Sequence, residues 1–404
     1  MLKNPDYITA RQLLLDAVHE IETEHIPLEN SSGRILAEDI IAADNIPPFD
    51  RSPYDGYAFR SADSDGASKA TPVTLRVIEY VAAGMVSALP CTKGMATKIA
   101  TGAPIPGGAD AVVMFENTTF TDDTVTLFAP AKPGENIIFA GEDVRKGETL
   151  VRTGTRIDPG VAGTLAAQGF AEPKVYRVPK IGIISTGNEV AELGAPLAAG
   201  KIYDSNRYTL AAAVNEIGCE SVYLGLAGDS ADGICQLLIN GLASCDALIS
   251  TGGVSVGEYD LVPEAMESAG IQVLFRGASI KPGMACTYGK KDGKLICGLS
   301  GNPASSLTNF HAIAAPALKK LAGRADAVPE EITITLKNGF KKKSPGTRFL
   351  RGVLEFSEGK AMLNLPRDQG NIIISSAIGC DAMAIVPAGS GPLAAGTELK
   401  GFKL

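Results

Sequence analysis

The chain has 404 residues, of which 45% are hydrophobic and 20% charged, with 45 glycines and no tryptophan. This length predicts two to four domains, and so much glycine without a collagen-like period predicts many turns. The net charge of -8 argues against a broad basic surface, so we expect neither nucleic acid nor a membrane as a partner. We expect no membrane span and no signal peptide, because apolar runs are short and the first residues are polar.

The seven cysteines are scattered without a CxxC pair, and there are only three histidines. An odd number of scattered cysteines argues against a zinc ribbon or a disulfide framework. They favour reduced thiols, which are typical of the cytoplasm. We therefore expect a cytoplasmic protein without a His-based metal site or catalytic triad.

The first part of the chain predicts a helix followed by a β-rich region. Residues 9–22 carry an apolar stripe, and Thr9 and Gln12 have capping-box spacing. From residue 47 to 140, short β-branched runs alternate with Gly and Pro turns. Residues 141–179 are turn-rich, which predicts an elongated linker.

The second part of the chain alternates predicted strands with predicted helices. That alternation is typical of a parallel α/β sheet with right-handed crossovers. After Gly323 the pattern returns to strands, which predicts a small β-barrel or sandwich. The predicted strands are 180–185, 221–226, 246–250, 271–275 and 295–299, and the predicted helices are 207–217, 231–242, 262–268 and 304–321.

These patterns predict a multidomain α/β protein: a parallel α/β nucleotide-binding-like domain with an inserted β-rich module and a C-terminal β-barrel domain. The expected domains are 1–46 with 141–179 (N-terminal helix and linker), 47–140 (β-rich module), 180–326 (α/β domain) and 327–404 (β-barrel).

Four Gly-rich polar segments follow predicted strands of the α/β region. Ligands bind at the carboxyl ends of such strands, where glycines let backbone N–H groups approach phosphate. A single turn of this kind is weak evidence for a ligand site. Four of them on one edge, together with three carboxylates, are stronger evidence. The carboxylates are Glu189, Asp229 and Asp260. Acidic groups beside a phosphate site require a divalent cation, and oxygen ligands suit Mg²⁺. The segments are 185–189, 228–230, 251–260 and 300–305.

Several segments outside that edge also carry candidate functional residues. By residue type alone, Asp55-Gly56 and 141–143 are equally consistent with plain turns, whereas 101–110 is too rich in Gly and Pro for a simple connector. A lone Lys or Arg is usually a solvated charge, and the functional interpretation of Lys281, Arg348 and Arg351 depends on the tail folding back over the acidic edge. The segments are Asp55-Gly56, 101–110, 141–143, Lys281-Pro282-Gly283, and the strand with Arg348 and Arg351.

Together these segments resemble the MoeA and gephyrin E-domain family, the molybdopterin molybdenumtransferases, along essentially the whole chain. The resemblance implies insertion of molybdate into the dithiolene of adenylylated molybdopterin, with Mg²⁺-dependent release of AMP. It also implies a homodimer, with the active cleft between the α/β domain of one subunit and the β-rich module of its partner. The matching segments are 52–58, 101–113, 141–143, 185–190, 202–206, 249–261, 281–283 and 298–305.

The resemblance also implies roles for individual residues. The α/β edge would hold the pterin nucleotide and the metal, the β-rich module would face it, and a cationic pocket would bind the oxyanion. The implied catalytic residues are Asp55, Asp143, Glu189, Asp229, Asp260 and Lys281, with Asp229 and Asp260 near the metal. The implied binding residues are Thr101, Gly252, Gly253, Ser255, Ser305 and Arg351, with one serine of Ser375-Ser376 beside the oxyanion.

The sequence departs from the family pattern in places that concern anion binding. A lysine of the family is replaced by Gly277, next to Arg276, and a second lysine by Met284. We therefore expect weaker oxyanion affinity than in members with both lysines. The further departures are Pro53-Tyr54 before Asp55 and Ser300 in the 298–303 segment.

Alternative functions remain open at this point. The α/β domain is shared with molybdopterin adenylyltransferases, and tungstate resembles molybdate in size and charge. A non-catalytic scaffold is a further alternative, because the gephyrin branch of the family uses its E-domain to bind receptor peptides. The retained carboxylates and the additional β domains favour the molybdenumtransferase. A molybdopterin adenylyltransferase and downstream molybdoenzyme chaperones are the protein partners that the resemblance suggests.

Overall fold

The computed structural model describes residues 1–194, 196–254, 261–357 and 359–404. The chain forms two compact units. The large unit contains Met1–Glu38, Thr153–Ala162 and Glu172–Leu404, and the small unit contains Asp39–Arg152 and Gly163–Ala171. The domain boundaries expected from the sequence stay a prediction.

A seven-stranded sheet forms the centre of the large unit. The predicted parallel α/β arrangement is confirmed: Lys180–Thr186 pairs in parallel with strands on both sides. One further strand, Cys286–Lys291, is antiparallel to both of its neighbours. In spatial order the strands are Leu2–Lys3, Gln272–Arg276, Cys286–Lys291, Lys294–Leu299, Ala247–Thr251, Lys180–Thr186 and Glu220–Ala227.

Helices cover both faces of this sheet. Ile183 and Ile184 are adjacent in a strand and therefore point to opposite faces. Ile183 belongs to a core that includes Phe310, whereas Ile184 belongs to a second core with Leu238. The helices are Tyr7–Leu15, Ser205–Glu216, Ala231–Ser244, Leu261–Ser268, Pro303–Asn309 and Ala315–Leu321, the last two joined by a π-helical turn at Phe310–Ala314.

The first helix differs from its prediction at both ends. It begins at Tyr7 because the Asp6 carboxylate accepts hydrogen bonds from the N–H groups of Ile8 and Thr9, both at 3.0 Å. The predicted capping box at Thr9 is therefore wrong. The helix ends at Leu15, although the apolar residues that follow it remain buried. Their burial produced the helix-like stripe in the sequence.

The tail forms a closed β-barrel, as predicted. The long strand Thr347–Ser357 pairs with Lys360–Asn364 on one side and with Ala382–Val386 on the other, which closes the sheet. Ile280–Lys281 adds a short strand in parallel to Thr347–Ser357. The remaining barrel strands are Ile332–Leu336 and Glu398–Lys403.

The small unit is built on a six-stranded sheet around Tyr57, Phe59 and Leu75. Its strands in spatial order are Ala111–Met114, Gly56–Phe59, Met95–Ile99, Val73–Val81, Thr124–Leu127 and Thr118–Phe120. Shorter elements of the chain are the strand pairs Thr149–Val151 with Ile40–Ile41, Thr23–His25 with Lys174–Tyr176 and Val190–Ala191 with Ile202–Tyr203, the helix Pro159–Ala167, and the 3-10 turns Leu28–Asn30, Ser61–Ser64, Phe115–Asn117 and Ile374–Ala377.

All seven cysteines are free, as predicted, and five of them are buried. Burial raises the pKa of the Cys219 and Cys286 thiols to about 12, so these groups stay protonated at neutral pH. None of the helices in the described part of the chain combines the length and apolarity needed to span a bilayer.

Candidate active site

Three of the predicted Gly-rich segments come together at the carboxyl edge of the sheet. Gly252 is in a left-handed conformation (φ +94°), and a Cβ there would lie 2.5 Å from Thr186 Oγ1. A Cβ on Gly301 would lie 3.6 Å from the Gly252 Cα. The turns after strands Lys180–Thr186, Ala247–Thr251 and Lys294–Leu299 are therefore in mutual contact. Only glycine permits this close backbone approach at residue 252.

Asn206 holds two of these turns together. Its Nδ2 donates hydrogen bonds to Thr251 Oγ1 at 2.7 Å and to the Gly301 carbonyl at 2.8 Å. Its buried Oδ1 has no hydrogen-bond partner among the described residues, so it is available to a ligand donor. The sequence analysis gave Asn206 no role, although its position directly after Asp204 and Ser205, at a helix start, was a usable signal. Asn206 lines a polar cleft together with Thr186, Glu189, Thr251, Gly301 and Pro303.

The fourth segment contributes Asp229. Asn188 N donates to Asp229 Oδ2 at 3.4 Å, and Asp229 N donates to Asn188 Oδ1 at 3.2 Å. This reciprocal pair brings Asp229 next to the turn that carries Glu189. The Glu189 carboxylate folds back over Gly187, where a Cβ would lie 2.5 Å from its Oε2. Both carboxylates are exposed to solvent.

Of the two predicted metal ligands, Asp229 and Asp260, only Asp229 is among the described residues. Ser255, a predicted pterin-nucleotide ligand, also lies outside them. Gly253, which follows Gly252 and is also a predicted binding residue, has a left-handed φ of +64°. Among the described residues, no cluster of three or more His, Cys, Asp or Glu side chains is placed to hold a metal ion.

A buried guanidinium lies in the barrel strand Thr347–Ser357. Arg351 is 2% exposed, and its Nε donates to Ser376 Oγ at 3.0 Å. Its Nη2 donates to Ser376 Oγ and to the Gly370 and Ile373 carbonyls. Its Nη1 is buried without a hydrogen-bond partner among the described residues. Burial lowers the pKa of Arg351, and the charges of Cys380 and Asp368 offset this only in part. Arg351 forms no ion pair with any of the described residues.

The predicted oxyanion residues lie on segments that touch one another. Lys281 pairs in register with Arg348, three positions before Arg351 on the same strand. A Cβ on Gly283 would lie 3.1 Å from the Ser305 carbonyl, so the Lys281 loop packs against the helix that carries Ser305. Ala304 N donates to the Asn371 carbonyl at 3.0 Å, which ties that helix to the segment beside Arg351.

The side chains of this group differ in exposure. Lys281 is exposed, whereas Ser305 is buried. The structure distinguishes the two serines of the tail: Ser376 is buried against Arg351, and Ser375 is exposed.

Two of the predicted residues of the small unit are in direct contact. Thr101 donates to Asp55 Oδ1 through its N–H at 2.7 Å and its hydroxyl at 3.1 Å. The next residue is glycine because a Cβ on Gly56 would lie 2.0 Å from the Val113 carbonyl. Asp143 is exposed, and its N–H donates to the Ile46 carbonyl at 3.0 Å. In the described part of this unit, no hydrogen bond joins the Asp143 side chain to Asp55 or Thr101.

Comparison with known proteins agrees with this arrangement over the whole chain. Residues 6–169 match the model of the MoeA N-terminal region (domain I and II), 182–320 match a probable molybdopterin binding domain, and 333–401 match the MoeA C-terminal region (domain IV). The chain belongs to the MoeA family. Curated relatives named molybdopterin molybdenumtransferase are 38% identical in Staphylococcus aureus strain Mu50 (92% of this chain, 88% of the relative) and 37% in Staphylococcus epidermidis strain ATCC 12228 (93% and 90%).

Solved structures show the same fold. The molybdopterin biosynthesis MoeA protein from Pyrococcus horikoshii OT3 is 33% identical, with a TM-score of 0.85 over 99% of this chain and 100% of that one. A molybdenum cofactor biosynthesis protein from Pyrococcus furiosus, at 22% identity, has a TM-score of 0.61 over 99% of this chain and 100% of that one. The second comparison supports the fold alone.

The structure gives a physical reason for two departures from the MoeA pattern. Gly277 has a φ of +70°, and a Cβ there would lie 2.0 Å from Asn4 Oδ1, so no lysine fits beside Asn4 as it stands. Ser300 Oγ accepts a hydrogen bond from Asn302 N at 3.2 Å and so helps to fix the turn. Met284 is 63% exposed and Tyr54 43% exposed, and no side-chain contact with the described residues explains either.

Proposed function

We propose that this chain inserts molybdate into adenylylated molybdopterin in a Mg²⁺-dependent reaction that releases AMP. Molybdenum insertion in molybdenum cofactor biosynthesis follows from its membership of the MoeA family, whose N-terminal, central and C-terminal regions are all present. The adenylylated substrate, the metal and the residue roles are the proposal itself. The resemblance described above and the geometry of the large unit support it.

The observation that carries the proposal is the buried Arg351. Among the described residues, all hydrogen-bond acceptors of this guanidinium are neutral and its Nη1 has no partner, so its burial is costly unless an anion binds it. Molybdate is a tetrahedral dianion and can accept charge-assisted hydrogen bonds from a guanidinium and from serine hydroxyls. We therefore assign molybdate to Arg351 and Ser376, with Lys281 and Ser305 on the adjoining segments.

The sheet edge suits the pterin nucleotide. Gly301 is exposed and carries no side chain, so a phosphate can approach its backbone closely, whereas the Gly252 N–H already donates to the Leu299 carbonyl at 3.0 Å. The unpartnered Asn206 Oδ1 accepts a donor from the nucleotide. Because Ala304 is hydrogen-bonded to Asn371, the oxyanion residues and the nucleotide edge share one continuous framework. The shared framework supports the proposal that the two substrates bind close to each other.

The donors at the edge fit Mg²⁺ in chemistry. Asp229 and Glu189 present carboxylate oxygens, and Asn188 adds an amide oxygen, the ligand types that Mg²⁺ prefers. We assign Asp229 and Asp260 to the metal. Bound there, Mg²⁺ would neutralise charge on the phosphate anhydride.

We extend the proposal to the assembly. The resemblance implies a homodimer in which Asp55, Thr101 and Asp143 of the small unit serve the partner's sheet edge. The Asp55–Thr101 contact supports a preformed polar site on that unit. Reduced cysteines favour the cytoplasm, where a molybdopterin adenylyltransferase and molybdoenzyme chaperones would be the neighbouring partners.

The test is a reaction with defined substrates. The purified chain is incubated with adenylylated molybdopterin, molybdate and Mg²⁺ while AMP and the molybdenum cofactor are measured. We expect AMP release to require both molybdate and Mg²⁺. In a separate reaction with molybdopterin and ATP, formation of adenylylated molybdopterin and pyrophosphate would instead support an adenylyltransferase. Replacing molybdate with tungstate tests which oxyanion the protein prefers. No AMP release with a chain that binds both substrates would support a scaffold and overturn the proposal.

A further inference from the structure

A short N-terminal strap, residues 2–5, runs beside the segment that leads into the Lys281 loop. Leu2–Lys3 pairs in parallel with the end of strand Gln272–Arg276. Asn4 N then donates to the Arg276 carbonyl at 2.9 Å. Ser279 donates twice to the strap, from its hydroxyl to the Asn4 carbonyl at 2.7 Å and from its N–H to the Pro5 carbonyl at 2.8 Å.

Asn4 and Gly277 face each other in uncommon backbone conformations. Asn4 has a φ of +46° and Gly277 a φ of +70°, both in the left-handed region. The Asn4 Oδ1 stands 2.0 Å from the position that a Gly277 Cβ would take. Asparagine tolerates this conformation better than most residues with a side chain. The pair therefore fits together only with these small or left-handed-tolerant residues.

The segment held by the strap is the base of the Lys281 loop. Gly277 N donates to the Cys286 carbonyl at 2.7 Å, and Ala278 N to the Met284 carbonyl at 3.0 Å. Lys281 lies within the loop that both of these cross-links close. On the far side of the loop, Asn309 Nδ2 donates to the Gly283 carbonyl at 2.7 Å.

The strap is also anchored to the strand of Arg351. Asp6 caps the first helix, whose Tyr7 ring meets Phe349 edge-on, with ring centroids 5.2 Å apart. Phe349 lies two positions before Arg351. The same short stretch of chain therefore contacts the Lys281 loop and the strand that carries the buried guanidinium.

We propose that the strap sets the position of the oxyanion loop, with Asn4 as the positioning residue. This inference rests on the proposed function, in which Lys281 and Arg351 bind the oxyanion together. Without the strap, the loop base would lose three hydrogen bonds and the Lys281 backbone would sample more conformations. A smaller binding-competent fraction weakens apparent affinity in proportion.

The experiment measures molybdate affinity by calorimetry and molybdate KM and kcat by AMP release. Asn4→Ala removes Oδ1 and disfavours the left-handed backbone. We expect its molybdate Kd and KM to rise roughly three- to tenfold, with kcat within about twofold of the wild type. Asp292→Ala is the matched control, because Asp292 is also left-handed (φ +50°) but lies in the turn at the other end of strand Cys286–Lys291. It should leave both constants unchanged.

An exchange of the two residues separates positioning from general destabilisation. Gly277→Asn alone places a side chain against Asn4 and should weaken molybdate binding. Gly277→Asn combined with Asn4→Gly removes that clash, since the next atom, the Met284 carbonyl oxygen, is 3.6 Å from the new Cβ. Recovery of affinity in the double variant beyond that of Gly277→Asn supports the inference.

Different outcomes overturn different claims. If the wild type binds molybdate and Asn4→Ala binds it equally well, the strap has no positioning role and the proposed function is untouched. An equal loss in Asn4→Ala and Asp292→Ala also overturns the inference, because it reflects destabilisation. If the wild type binds no molybdate, the proposed function and this inference both fail.

Discussion

The carboxyl edge of the sheet and the Arg351 pocket of the barrel are prepared for their ligands in opposite ways. At the edge, the carboxylates of Glu189 and Asp229 are exposed and the cation must come from solution. In the pocket, the cation belongs to the protein and is already buried, with Nη1 unpartnered among the described residues. An exposed group costs little to keep without a ligand, whereas a buried charge is costly.

Under the proposed function, the two regions have separate tasks. The exposed edge would exchange a metal and a nucleotide without rearrangement. The buried pocket is pre-organised and would lose little freedom on binding an oxyanion. Changes at the pocket should therefore affect molybdate alone, and changes at the edge should affect metal and nucleotide alone. Two predictions test that separation, and two further predictions test stability.

The largest effect on substrate binding is expected from Arg351→Met, which keeps the bulk and removes the charge. The loss of charge-assisted bonds to molybdate should raise its KM by roughly 10- to 150-fold, equivalent to about 1.5–3 kcal/mol. The Mg²⁺ requirement should not change. Steady-state AMP release at varied molybdate and varied Mg²⁺ measures both.

The matched control is Arg348→Met, on the same strand. Arg348 Nε donates to Ser344 Oγ at 2.9 Å, and its guanidinium lies 5.2 Å from the Phe340 ring centroid, so its role is structural. We expect its free energy of unfolding to fall by about 1–2 kcal/mol with little change in molybdate KM. Similar KM changes in both variants would contradict a specific role for Arg351.

Asp229→Asn should raise the Mg²⁺ concentration for half-maximal activity by at least roughly tenfold, since even outer partners of metal ligands contribute 10- to 100-fold. Molybdate affinity should stay unchanged. Asp232→Asn, an exposed acid in the first turn of the following helix, is the control. Asp260→Asn should behave like Asp229→Asn. A normal Mg²⁺ response in both variants would argue against a metal at this edge.

Gly252→Ala should destabilise the large unit by about 2–4 kcal/mol, because its Cβ would meet Thr186 Oγ1 and the Thr186 carbonyl oxygen at 2.5 and 2.8 Å. Gly293→Ala has a similar positive φ with no atom within 4 Å of its Cβ, and should cost about 1 kcal/mol. Urea unfolding compares the two variants. Equal losses would show that the contact with Thr186 is not tight.

The last prediction concerns the pH dependence of the free energy of unfolding and involves no change in activity. Burial lowers the pKa of His311 to about 4, and the charge of Lys319 acts in the same direction. The folded state therefore binds fewer protons than the unfolded state between pH 4 and 6.5, so stability is full above 6.5 and falls as pH drops through that window. The loss should be roughly 2–3 kcal/mol. His311→Gln should remove this slope, whereas His19→Gln, at an exposed position, should keep it.

The sequence predicted most of the α/β edge because its geometry is local. A turn that follows a parallel strand must lie at the carboxyl edge, so Gly252 and Asp229 could be placed from the pattern alone. The strand Cys286–Lys291 was missed, although the turn after it carried a signal. Asp292 and Gly293 both have positive φ, as Asp-Gly does in a two-residue hairpin turn.

The pocket could not be derived from residue pattern alone, because its contacts depend on the closure of the barrel. Arg351 and Ser376 are 25 residues apart, and nothing local distinguishes Ser376 from Ser375. Arg348 and Arg351 were likewise equivalent in sequence until their partners were known. Asn4 lies 275 residues from Ser279, so the contact of the strap with the Lys281 loop could not be predicted from the sequence. Only the resemblance pointed to Arg351.

The most direct test is to locate molybdate in crystals of this chain by the anomalous scattering of molybdenum. The account predicts one strong peak within hydrogen-bonding distance of Arg351 Nη1, beside Ser376 and on the side of Lys281 and Ser305. The same crystals of Arg351→Met should show no peak there. A molybdate bound at the sheet edge next to Asp229, with Arg351 Nη1 still unoccupied, would contradict the account.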